Sequence, residues 1–105
     1  MNNEQGYNGW ANRETWNVML WLNNDEFLYN KALGWLKMGK QKGKLPIPAE
    51  AAQQLVKYAF CMGLSNFRNM GLHCKYGFTP DGVSLDDASI DWQEIADALN
   101  DWVEE

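Results

Sequence analysis

The segment from Asp91 to Glu105 leaves little choice of structure. On a wheel of about 100° per residue, Trp92, Ile95, Ala96, Leu99, Trp102 and Val103 fall between about 20° and 140°. Asp91, Glu94, Asp97, Asp101, Glu104 and Glu105 fall between about 220° and 360° on the same wheel. The segment therefore carries a helix, capped by Ser89 or Asp91 and running to about Val103, with one apolar face for a core and an opposite face of carboxylates. Such a helix needs other helices or a sheet to cover it. Acidic residues at its C-terminal end oppose the helix dipole, so local stability does not account for Glu104 and Glu105.

The rest of the chain supplies helices. Asn12 reads as an N-cap and Glu14 falls in the first turn of a helix over about Arg13 to Leu22. Its apolar residues cover most of the circumference, which predicts a central, buried element. Asn23 and Asn24 end it, and a second helix follows from about Asp25 to Met38. Gly39 to Pro48 is a basic loop, and Pro48 opens a third helix over about Ala49 to Met62. A short fourth helix starts near Ser65 and is capped by Gly71. Around Pro80-Asp81-Gly82 the pattern changes to a short hairpin or ordered loop near 76–85. The expected fold is mainly α: a compact bundle of four to five helices in one domain over 1–105, with residues 1–9 mobile.

Charge is unevenly divided. Residues 1–80 hold all nine basic residues and only five acids, a net of +4, whereas residues 81–105 hold nine acids and no base. A block of that sign repels polyanions and attracts basic protein surfaces. It argues against direct nucleic-acid binding, and the lysines at 37, 40, 42 and 44 read as a solvated loop without interleaved aromatics. The longest apolar run, Val18 to Leu22, cannot span a bilayer. Two cysteines without secretory context suggest reduced thiols and a cytoplasmic location.

Catalytic signatures are missing. His73 is the only histidine, and Cys74 adjoins it directly, where side chains diverge. Cys61 is expected in the core beside Phe60. Cys61, His73 and Cys74 make three potential zinc ligands without CxxC spacing, where a structural site needs about four. No phosphate-binding glycine loop and no calcium-loop spacing occur. The expectation is a chain that is not an enzyme, with no cofactor and no metal.

Two segments carry a resemblance. Asn12, Glu14, Thr15, Trp16, Val18, Leu20, Trp21, Leu22, Asn24 and Asp25 form an N-x-E-T-W-x-V-x-L-W-L-x-N-D core. Further on, a TPDG turn at residues 79–82 precedes a D-W-x-E-I helix start at Asp91, Trp92, Glu94 and Ile95. Both resemble small uncharacterised proteins of bacteriophages and mobile elements. The resemblance implies a phage or mobile-element origin and a domain of unknown function, and it brings no catalytic residues with it. By analogy with small acidic proteins of that origin, it suggests an inhibitor of host defence of the anti-CRISPR or antirestriction type.

The leading expectation is a non-enzymatic binding protein acting in the cytoplasm of a bacterial host. Its acidic helix face would mimic DNA against a host protein with a basic nucleic-acid-binding surface. The contact residues would be Asp91, Glu94, Asp97, Asp101, Glu104 and Glu105, with Asp86 and Asp87 on the approach loop. The alternative is a structural or regulatory phage protein with an apolar interface at Tyr7, Trp10, Tyr76 and Phe78, or a homodimer.

Overall fold

The computed structural model describes residues 7–104, and five helices account for most of them: α1 (Arg13–Asn24), α2 (Glu26–Gln41), α3 (Ala49–Met62), α4 (Leu64–Asn69) and α5 (Trp92–Trp102). The mainly α bundle expected from periodicity is the observed fold. Residues 1–6 of the expected mobile segment, and Glu105, lie outside the described residues.

Side-chain caps set three of the helix starts. The Asn12 carboxamide oxygen accepts the Thr15 amide at 2.8 Å, Asp25 accepts Leu28 at 3.0 Å, and Asp91 accepts Glu94 at 3.0 Å. Each bond satisfies an amide that has no partner within its own helix. Asp25 works twice. Its carboxylate opens α2, while its backbone N–H closes α1 on the Trp21 carbonyl at 3.0 Å. The paired asparagines therefore do not break the helix at Leu22. α1 runs on to Asn24, and a single residue turns the chain.

α3 packs against α5, α2 and α4 more extensively than any other helix packs on its neighbours, and its interface with α5 is the largest in the molecule. The inward stripe of α3 alternates small with large residues: Ala52, Leu55, Val56, Ala59 and Phe60. Ile95, Ala96 and Leu99 of α5 meet that core. The small side chains let the helices approach closely. The central position expected for α1 falls instead to α3. α1 buries Val18, Met19 and Leu22, but Trp16, Leu20 and Trp21 are only half-buried.

The segment after α4 is an ordered loop with a single rung of sheet. Phe78 and Ser84 form one antiparallel bridge, and the Thr79 amide donates to the Val83 carbonyl at 2.8 Å. Gly82 turns the chain at φ +92°, a conformation that favours glycine.

Candidate functional site

Two stretches about 65 residues apart in sequence are joined by one polar network. The Thr79 hydroxyl, buried, donates to Asn17 Oδ1 at 2.7 Å and accepts the Val83 amide at 3.1 Å. Asn17, also buried, donates through Nδ2 to Asp81 Oδ2 at 2.8 Å. The Trp21 indole N–H donates to that same oxygen at 2.9 Å. Nearer the start of α1, Thr15 Oγ1 accepts the Asp91 amide at 2.9 Å, and Asn12 Nδ2 donates to the Ser89 carbonyl. The Ala11 amide donates to Glu94 Oε1 at 2.9 Å.

The two recognisable motif blocks are therefore the two sides of one joint. Asn12, Thr15 and Trp21 come from the first block, and Thr79, Asp81, Asp91 and Glu94 from the second. Buried groups of this kind cost free energy unless paired, so each block requires the other. Asn17 completes the joint from a position that the motif leaves variable. No local signal singled it out, because its partners are far away in sequence.

The hydrogen bonds from Asn17 and Trp21 hold the Asp81 carboxyl below the usual carboxylate range, with a smaller contribution from Arg13. A carboxyl whose pKa is depressed on folding stabilises the fold above its unfolded value, and that contribution is lost as pH falls through the folded value. Wild type is therefore expected to lose its advantage over Asp81→Asn between about pH 5 and pH 2. Urea midpoints of the two proteins should converge over that range. A gap that is independent of pH would contradict this origin.

The carboxylates expected at the contact face fall into two groups. Asp86 pairs with Lys57, and Asp87 accepts the Ser89 hydroxyl at 2.6 Å and the Ser89 amide at 2.8 Å. Those Ser89 bonds lower the Asp87 pKa. Asp91 caps α5, and Glu94 anchors Ala11. These four hold the fold together. Asp97 and Asp101 on α5 and Glu104 just after it are exposed, and only Asp97 has a side-chain partner among the described residues, Gln93 at 3.0 Å. Glu105 lies outside the described residues. The dipole cost at the end of α5 is partly offset from another helix: Lys40 of α2 donates to the Val103 carbonyl at 2.8 Å. Lys40, expected in the basic loop, stands instead in the last turn of α2, which runs on to Gln41, and acts as a C-cap for α5 from outside that helix.

The alternative interface residues lie on two separate loops. Tyr7 and Trp10 close a turn through paired backbone bonds of 2.7 and 2.9 Å, and the Tyr7 ring packs 4.9 Å from Trp16. Tyr76 is 73% exposed, while Phe78 is half-buried. Further exposed apolar side chains, Trp35, Met38, Tyr58, Met62 and Met70, stand on α2 and α3 and just after α4. Trp35 and Met38 point outward, because Leu28, Ala32 and Leu36 fill the inward stripe of α2.

The histidine and cysteines do not assemble a nucleophilic site. Cys61 is exposed, not buried as expected. One step along a helix turns a side chain by about 100°, and Phe60 takes the inward position. The Cys74 thiol donates to the Phe78 carbonyl at 3.0 Å, and burial pushes its pKa up, so it stays a neutral donor. Among the described residues, no three His, Cys, Asp or Glu side chains gather as metal ligands.

A family model matches residues 3–105, from before the first motif block to past the end of α5. Its description is "Family of unknown function (DUF7249)". The chain belongs to this family. The DUF7249 match also takes in the stretch between the two motif blocks, which carries α3 and so the centre of the core. No curated protein and no solved structure matches the chain. Among the described residues of this DUF7249 member, no helix is long and apolar enough to cross a membrane.

Proposed function

We propose that this DUF7249 protein is a phage-encoded, non-enzymatic binding protein of the host cytoplasm. In this reading it inhibits a nucleic-acid-handling defence complex, of the anti-CRISPR or antirestriction type. The acidic face of α5 enters a basic groove that otherwise holds phosphates. One observation carries the reading: Asp97 and Asp101 on α5, and Glu104 just beyond its C-cap, are exposed without a cationic side-chain partner among the described residues. Asp81, Asp86, Asp87, Asp91 and Glu94 are each engaged by a hydrogen bond or an ion pair. Mimicry of this kind steers association and is sensitive to salt. Asp86 and Asp87 border the face from the approach loop.

The division of labour among the acids dictates the test. Asp91 and Glu94 must stay, because changing them disturbs a cap and an anchor. The triple variant Asp97→Lys, Asp101→Lys, Glu104→Lys reverses only the exposed stripe. In a pull-down from host lysate at about 50 mM salt, wild type is expected to retain a nucleic-acid-binding protein that the triple variant loses. Raising salt to about 500 mM should release it from wild type as well. Retention by the variant at both salt concentrations would sink the mimicry.

A second reading takes the acids as solubilising groups and places the contact on exposed aromatics, with a homodimer as one form. Its motivating observation is the 73% exposure of Tyr76. Under that reading the triple variant keeps its partner, and Tyr76→Ala loses it.

A further inference from the structure

A cleft of about 580 Å³ lies beside the loop that follows α4. Arg68, His73 and Lys75 line it together with Cys74, Phe78 and Gly82. No carboxylate is among the lining residues. Arg68 and Lys75 form no ion pair with any described carboxylate, in a chain whose net charge is -5. Lys75 Nζ sits 5.8 Å from the centroid of the Phe78 ring, which places the ammonium over the wall of the cleft.

Two other groups stand near the site without cancelling its charge. Burial keeps Cys74 a neutral thiol, which donates to the Phe78 carbonyl and contributes no negative charge. Asp81 adjoins Pro80 and Gly82 of the cleft and carries one negative charge, but Asn17 and Trp21 hold its Oδ2 toward α1, it does not line the cleft, and Arg68 and Lys75 outnumber it. The charge is therefore a local excess of cations around a concave space. The volume lies in the range of about 300–1,000 Å³ usual for small-ligand sites.

We propose that this cleft binds a small phosphate-bearing anion, with Arg68 as the forked donor and Lys75 as the point charge. Guanidinium fits phosphate oxygens two at a time, and an ammonium adds attraction without geometric demand. His73 stands at the same rim as a further nitrogen donor. The site is separate from the carboxylate stripe of α5, and neither requires the other.

The test is an amide NMR titration of the full chain at constant ionic strength. Its arms are inorganic phosphate, adenosine 5′-monophosphate, sodium chloride and a single-stranded oligonucleotide. Phosphate is expected to shift the amides of residues 73–78 and Gly82 saturably and to leave those of α5 in place. The double variant Arg68→Gln, Lys75→Gln should bind at least about tenfold more weakly. Both side chains are exposed, so its spectrum should otherwise keep the dispersion of wild type. Lys57→Gln, which removes a cation elsewhere, should bind like wild type.

Tighter binding of the nucleotide than of phosphate supports the proposal and makes the ligand a nucleotide. Equal binding supports it and makes the ligand free phosphate. Chloride shifts equal to those of phosphate, or unchanged affinity in the double variant, would overturn it. Binding confined to the oligonucleotide would overturn it too, in favour of a nucleic-acid surface.

Discussion

Phe67→Ala is expected to cost about 3–5 kcal/mol of stability, the range for deleting a buried aromatic ring. Phe67 is fully buried in a helix of only six residues. Its ring meets Trp21 of α1 at 5.8 Å and Phe60 of α3 at 6.1 Å, so one side chain ties three helices together. Its carbonyl also accepts the Leu72 amide at 2.9 Å, which turns the chain out of α4. α4 is too short to hold itself together, so its order depends on this ring. In a domain whose total stability is about 5–15 kcal/mol, the loss is a large share. The melting temperature should fall by about 15–30 °C. Phe67→Leu, which keeps most of the volume, should cost well under half as much. Urea denaturation of the three proteins decides the matter, and a loss below about 1 kcal/mol for the alanine variant would contradict the packing role.

Asn17→Ala is expected to cost about 2–4 kcal/mol through a different mechanism. Removing the carboxamide leaves the buried Thr79 hydroxyl without its acceptor and takes one donor from Asp81. The penalty comes from the stranded partners and not from lost apolar area. The effects of changing Asn17 and Thr79 should therefore fall short of additive. Thr79→Val introduced into the Asn17→Ala background should cost less than it does in wild type, because the hydroxyl has already lost its acceptor. Asn17→Asp places a second carboxylate against Asp81. It should be worse than alanine at neutral pH and recover as the pair takes up a proton. Strict additivity in the double-mutant cycle would show that the network is not coupled.

These two positions differ in how far the sequence announces them. Phe67 follows Leu64 by three residues in an apolar pattern, so burial is readable, although the meeting with Trp21 and Phe60 is not. Asn17 sits between Trp16 and Val18 on a helix and looks like any polar residue there. Its importance depends on Thr79 and Asp81, which arrive only when the loop after α4 folds against α1. The same reasoning separates the acids. The helical wheel shows that Glu94 and Asp97 both face away from the core. Only the position of Ala11 shows that Glu94 is an anchor and that Asp97 remains available.

What the residues settled by themselves was local. Asn12, Asp25 and Asp91 announce helix starts because a short side chain can reach an amide three residues on, whatever the rest of the chain does. The two faces of α5 follow from a fixed rotation per residue. The tertiary structure decided everything that joins distant segments. It put α3 and not α1 at the centre, made Lys40 a cap for α5, and turned the two motif blocks toward each other. It also collected Arg68, His73 and Lys75 around one cleft. Such pairings depend on how helices pack and how loops close, and those are set by the summed fit of the whole core.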